Sequence, residues 1–307
     1  MERRALFLTY GLMFLVMVSW GLNVVMLKVL VDAFPPQTMT AFRIMTAGVV
    51  TVLIVLFGRS FRTLTKNEWM YMLLGMLFGV ILHHTFLAQG LTMIHASNAV
   101  LILALLPLTT ALFAVWFLGE KLTKWRLLGI ALALIGVLFI QGGAGVLSVS
   151  LGEIYLFIAM VVQAISFIFI KKATATLDSK QVTGMMLIIG SAGLFIVSLI
   201  VEPQGVASMV GAQPFVYGVF FFSAVVATAI GHFVFNAAIQ KIGAGQTAIF
   251  NNFVPFFGLV FSAIFLQETI HMYQLIGFLF IVAGVLFGTG YAERYWVRKV
   301  PIHEKSM

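Results

Sequence analysis

Long apolar stretches separated by short polar connections run along almost the whole chain. The pattern predicts ten helical spans, over residues 6–29, 37–57, 69–92, 96–118, 125–141, 152–171, 181–201, 214–238, 246–266 and 273–291. Each is close to the roughly 20 apolar residues that cross a hydrocarbon core. The connections are short and carry most of the charges, and no segment between them is long enough for a separate soluble domain. The first stretch is expected to be a retained span rather than a cleaved signal. It is apolar from Ala5 to Val31, broken only by Asn23 and Lys28, and no small-x-small cleavage site follows it.

The charges test the segmentation. With the N-terminus inside, 16 of the 18 Lys and Arg residues fall in the odd, inner segments; Lys28 and Arg43 are the exceptions. That bias sets orientation in multi-pass proteins. It predicts cytoplasmic termini, a multi-pass place in the cell membrane and a cytoplasmic basic tail over 292–307. Composition agrees: 62% of residues are hydrophobic and 9% charged, against about 25% charged in a soluble domain. A soluble globular enzyme is excluded, and the formal charge of +8 reads as an inner-leaflet signature rather than a nucleic-acid footprint. The chain has no cysteine, so disulfides, thiolate metal sites and thiol nucleophiles are excluded as well.

The chain also repeats itself. A shift of 148 residues lays 90–140 on 238–288 without a gap and matches 13 of 51 positions. Pro107 falls on Pro255, Glu120 on Glu268, Gly129 on Gly277, and Gly136-Val137-Leu138-Phe139 on Gly284-Val285-Leu286-Phe287. Two five-span repeats follow, 6–141 and 152–291. An odd number of spans forces the second copy to enter from the opposite side of the membrane. An all-α membrane protein of ten transmembrane helices in two inverted repeats is the expected fold, with a site near the midplane between the halves.

The repeat ending Pro107…Gly119-Glu120…Gly129…Gly136, its echo Pro255…Glu268…Gly277…Gly284, and the opening Trp20-Gly21-x-Asn23 with Phe42-Arg43 resemble the drug/metabolite transporter superfamily. More narrowly, the chain resembles its EamA-type ten-helix exporters, over about residues 6–291. One departure is Gln267, where the family usually has Gly before the acid. The resemblance implies a two-lobed helical carrier exporting small metabolites, often amino acids or related compounds.

All ten acids, among them Asp32, Glu68, Glu120, Glu202 and Glu268, sit at span ends or in connections. An intramembrane carboxylate is the usual element of a proton or cation relay. Its absence disfavours a multidrug antiporter built on a buried acid, although a drug-efflux carrier remains the alternative to a metabolite exporter. Histidine is the titratable side chain near mid-span. His83 and His84 lie in the third span and His232 in the eighth, and His84 precedes His232 by the repeat offset of 148. The pair is expected to face one cavity, and adjacent His83 diverges by about 100°. Three histidines without an acid or Cys make a poor metal site, so no metal and no cofactor is expected.

Pro107 and Pro255 interrupt the fourth and ninth spans and remove the hydrogen bonds to the carbonyls of Leu103 and Asn251. Such bends pack against protein or line a cavity. Asn251, Asn252 and Asn236 lie a turn from Pro255 or His232, whereas their repeat counterparts Leu103, Ala104 and Ala88 are apolar. This asymmetry suggests a ligand held mainly by the second half. Trp20, Asn23 and Gln89 are further polar or amphipathic cavity candidates. Arg43 lies within the second span, where a charge costs roughly 2.5–3.5 kcal/mol on insertion scales. It therefore faces protein or water, in a structural role or as the partner of a substrate carboxylate. Gly75-x-x-x-Gly79 and Gly284-x-x-x-Gly288 fit close internal helix packing better than a dimer face.

A secondary transporter of a small molecule is the expected function. No catalytic set, Walker loop or paired carboxylate supports an enzyme, and no ring of charges supports a channel filter. Without an acid in the spans, facilitated transport or exchange is predicted, or at most coupling through histidine. Replacing His83, His84 and His232 together by Asn should abolish any proton dependence of flux in liposomes. Tight proton coupling that survives in the triple variant would overturn the argument from missing acids.

Overall fold

The computed structural model describes residues 2–57, 61–118, 123–143, 149–242, 250–251 and 253–288. Glu120, Asn252, the side chain of Asn236 and the tail 292–307 lie outside the described residues. Helix α1 is Glu2–Ala33 and α2 Pro36–Phe57. A third rod comprises α3 (Lys66–Met76), a π-helical segment (Leu77–Leu82) and α4 (His83–Leu91). Then come α5 (Ala96–Leu103), α6 (Leu106–Leu118), α7 (Lys124–Gly143), α8 (Leu151–Ala173) and α9 (Ser179–Val201). After a 3₁₀ turn, Ala207–Met209, a further rod joins α10 (Pro214–Phe221), a second π segment (Phe222–Ile230) and α11 (Gly231–Ile242). Finally α12 is Phe253–Phe265 and α13 Met272–Gly288.

Among the described residues seven helices are long and apolar enough to cross a bilayer, and α12 and α13 are shorter apolar helices. The outer faces carry large apolar side chains such as Phe7, Phe57 and Trp116, each more than 80% exposed. That surface suits lipid. Local signals set the helix starts. Pro36 opens α2 and Pro214 opens α10, at positions where the missing N–H costs nothing. Thr65 with Glu68, and Ser150 with Glu153, form capping boxes on α3 and α8.

Helices α7 and α13 pack backbone to backbone. A Cβ on Gly129 would lie 2.6 Å from the Gly284 carbonyl oxygen, and one on Gly284 2.7 Å from that of Gly129. Gly136 and Gly277 meet the same way, at 2.6 and 2.7 Å. The order of these contacts makes the helices antiparallel, and the 148-residue shift exchanges one glycine pair with the other. Gly75 and Gly79 likewise pack internally, against Met186 and Ser166. Elsewhere α2 lies along α9, α1 along α12 and α8 along the third rod.

The span-end acids join distant segments. Glu202, ending α9, accepts the backbone N–H groups of Gln37 and Thr38 at the start of α2, at 3.0 and 2.8 Å. Glu268 accepts those of Ala96 and Ser97 at the start of α5, at 2.8 and 2.9 Å. At the other end of the bundle Arg62 donates to Glu68 at 2.6 Å and to the Thr176 carbonyl at 2.9 Å. The Glu68 carboxylate raises the Arg62 guanidinium above its ordinary pKa.

The fourth span is not one kinked helix. It breaks at Ala104–Leu105 into α5 and α6, with the Leu105 N–H turned to the Ile102 carbonyl. Pro107 is the second residue of the new helix rather than an interior kink. In the ninth span the carbonyl of Asn251 is not free either, because the Val254 N–H bonds to it at 3.1 Å. A tightened turn absorbs the mismatch that proline creates.

Gln267, the residue before the acid, has a left-handed backbone. Its φ is 54°, and its side-chain amide donates to the Ile264 carbonyl at 2.7 Å. This left-handed residue turns the chain so that Glu268 reaches back to α5. A β-branched residue is strained there by about 1–2 kcal/mol. Gln267→Val should lower the thermal midpoint in detergent while Gln267→Gly leaves it unchanged or higher; equal midpoints would remove the conformational explanation.

Candidate functional site

The two π segments sit at equivalent places in the repeat and end at residues 82 and 230, which the offset of 148 relates. The N–H of His83 bonds to the carbonyls of Phe78 and Val80, and that of Gly231 to those of Val226 and Thr228. These partners also correspond one to one. π-Turns are rare and concentrate at functional sites. Here each delivers a histidine one residue after the first α-helical position, His84 in the third rod and His232 in the eighth span.

Arg43 lies between them. It is 2% exposed. Its Nη1 donates to Thr228 Oγ1 at 2.9 Å, and its Nη2 meets His84 Nδ1 at 3.4 Å. The Thr228 hydroxyl in turn donates to the Ser223 carbonyl at 2.8 Å. The Thr228 carbonyl pairs with His232 Nδ1 at 2.7 Å. One polar chain thus runs from the first half, through Arg43, to the second.

Other candidates border this chain. Ring centroids of His83 and His84 are 4.8 Å apart, and His83 turns away to the Ala159 carbonyl on α8, at 2.9 Å. Trp20 donates to the Ala227 carbonyl of the second π segment at 2.8 Å, its ring 5.2 Å from that of His232. Asn23, one turn on, accepts from Ser223 at 2.6 Å. Gln89 is half-buried on α4. Asn251 lies just before α12, and its side-chain oxygen is buried without a hydrogen-bond partner among the described residues. Pro255 is buried in α12 and Pro107 half-buried in α6. The structure therefore gathers Arg43, His83, His84, His232, Trp20 and Asn23 around the second π segment.

Between α1, α2 and α4 a narrow cleft, too tight in this arrangement to admit a water molecule, is lined by Arg43, His84, Thr40 and aliphatic residues. A larger recess of about 550 Å³ lies at the end where α1 finishes, bordered by Lys28, Asp32, Asn98 and Glu268. Among the described residues no cluster of three or more His, Asp or Glu could hold a metal.

The EamA-like transporter family matches residues 7–142 and again 150–289. The chain belongs to that family. It is 30% identical over 270 residues to the uncharacterized transporter YyaM of Bacillus subtilis, covering 86% of this chain and 87% of that one. A second uncharacterized transporter of the same organism, YvbV, is 25% identical over 94% of each chain. A solved crystal structure shares the fold, with a TM-score of 0.68 at 18% identity, over 92% of this chain and 97% of that chain. The EamA relatives are transporters and not enzymes, and the helices embed this member in a membrane.

Sequence reasoning did not reach Thr228, Ser223 or the π segments. Short hydroxyl residues in an apolar run look like packing, and π-turns have no composition of their own. The one available signal was a buried Arg43 that needed acceptors. Thr228→Val should leave Nη1 unpaired and cost about 1.5–3 kcal/mol, the usual worth of a hydrogen bond to a charged group. Thr228→Ser should retain most of the stability; identical unfolding of both variants in detergent would show that the hydroxyl bears no such role.

Proposed function

We propose that this EamA-family protein is a secondary transporter exporting small metabolites, such as amino acids or related compounds, by alternating access between two inverted repeats. The repeats are 6–141 and 152–291, each with five spans. In support, the family matches the chain twice over nearly those bounds. The exchange of the Gly129–Gly284 and Gly136–Gly277 contacts under the repeat shift is what an axis in the membrane plane would produce. The Lys and Arg distribution supports ten spans with both termini in the cytoplasm, at the cell membrane.

The observation that carries the reading is the equivalence of the two π segments, which bring His84 and His232 to either side of Arg43 where the halves meet. A carrier needs an element with two arrangements at its site. A π segment, with its strained hydrogen-bond register, is suited to that. The substrate-facing set in this reading is His83, His84, His232, Asn236, Asn251, Asn252, Trp20, Asn23 and Gln89, with the breaks near Pro107 and Pro255 as gates.

Purified protein in liposomes, offered a panel of labelled amino acids, organic acids and drugs, should show saturable uptake and counterflow. His232→Ala should reduce expression-normalised flux by about tenfold or more, and Asn252→Ala by less, with membrane expression maintained. Unsaturable conductance, or undiminished flux in both variants, would overturn the proposal.

A further inference from the structure

The guanidinium of Arg43 is a permanent cation placed deep in an apolar bundle. Among the described residues its partners are a threonine hydroxyl and a histidine ring, and no carboxylate pairs with it. Its Nε is buried without a hydrogen-bond partner among the described residues. Buried charges are normally paired, because an unpaired one forfeits its hydration without return. The Nε–H and the neighbouring Nη2, which has only the 3.4 Å contact to His84, form one edge of the guanidinium fork. That edge matches a carboxylate in width and direction.

The surroundings extend the argument. The narrow cleft that Arg43 borders is otherwise lined by His84, Thr40 and the aliphatic side chains of Leu27, Val31, Leu87, Ala88 and Leu91, and it is closed to water in this arrangement. A ligand there meets one cationic fork, one hydroxyl, one imidazole and aliphatic walls. Gln37, Thr40 and Arg43 recur every three residues along α2, and Gln37 is tied to the Thr85 carbonyl of α4 at 3.1 Å. A polar line thus leads along the α2–α4 seam from the helix end to Arg43. The buried side-chain oxygens of Gln37 and Thr85 on that seam also lack hydrogen-bond partners among the described residues. An ammonium group fares badly in the same place. The described cleft offers it no carboxylate, and Arg43 repels it.

We infer that Arg43 is the counter-ion for a small apolar monocarboxylate without an ammonium group, bound between α1, α2 and α4 when the halves part and the narrow cleft there widens. This rests on the transporter reading and narrows its substrate class from amino acids to their desamino relatives and similar organic anions. The carboxylate supplies the buried charge that the protein omits. By occupying that edge it displaces the Nη2 contact to His84 and leaves the Nη1 bond to Thr228, which ties the first half to the second, in place.

A series with one carbon skeleton tests the chemistry: 4-methylpentanoate, its primary amide, leucine and 4-methylpentylamine, with butyrate, pentanoate and 3-methylbutanoate as further carboxylates. Thermal unfolding of the detergent-purified full chain is followed at pH 8, where the carboxylates are ionised, and bound ligand raises the midpoint in proportion to its affinity. At least one monocarboxylate should stabilise the protein, with binding about tenfold or more tighter than its amide, leucine or the amine. Arg43→Gln should lose the shift, and Arg43→Lys, which keeps the charge but not the fork, should retain a weakened one. If Arg43→Gln does not fold, the carboxylate–amide comparison on the unaltered protein and the Arg43→Lys variant decide. Equal stabilisation by carboxylate and amide, tighter binding of leucine, or no shift with any carboxylate overturns the inference. Counterflow of neutral or cationic solutes in liposomes without a carboxylate shift would sink it and leave the transporter reading standing. Carboxylate binding without any saturable flux would do the reverse.

Discussion

Inside a bilayer the backbone has no water to turn to, so every N–H and C=O must find its partner within the protein. Most of this structure follows from that constraint. Helices satisfy the bulk of the groups, and their ends and interruptions set the remaining problem. Glu202 and Glu268 solve it for α2 and α5 by placing a carboxylate on backbone N–H groups of another segment. The acids therefore cluster at span ends for a structural reason, as partners for orphan donors and the positive poles of helices. Each such cap also fastens one half of the chain to the other, so the same bonds that complete a helix hold the bundle together.

The interruptions obey the same rule. Proline removes a donor, and the chain answers with tightened turns at Leu105 and Val254 rather than an exposed carbonyl. The π segments disturb the register more deeply. Side chains of a neighbouring helix meet carbonyls at or beside them, Trp20 at Ala227 and Ser166 at Gly75. Thr228 serves twice, with its hydroxyl to Ser223 and Arg43 and its carbonyl to His232. Polar side chains are thus drawn to the places where the helix is irregular. A site grows there because irregular backbone needs them.

Much of this was readable in the sequence. Helix-forming apolar runs, the alternation of basic residues and the in-register Pro, Glu and Gly positions carry their meaning in residue type and spacing. The His84–His232 relation came from the same offset, and the structure places both at one cluster. What could not be read depends on geometry between segments. Nothing in Leu77–Leu82 or Phe222–Ile230 marks a π-turn, because the extra residue per turn is imposed by packing. Gln267 gives no sign of its left-handed backbone except that a Gly would suit it better. The roles of Glu202 and Thr228 depend on contacts across more than 160 residues. Asn236 and Asn252, legible only as polarity near a proline, stay expectations.

The repeat is close where helices pack and departs from itself where charge is concerned. Glycines of α7 and α13 obey the 148-residue shift, as do the π segments and one histidine in each half. Arg43 does not: the shift lays it on buried Ser191 of α9, the counterpart of α2 in the second half, which holds no charged residue over 181–201. A second guanidinium related by symmetry would stand against the first near the midplane, and two like charges in a low-dielectric interior repel by far more than either could recover from Thr or His. The scaffold can be duplicated because close packing is satisfied twice over. A buried charge cannot, and that is why a symmetric frame carries an asymmetric site.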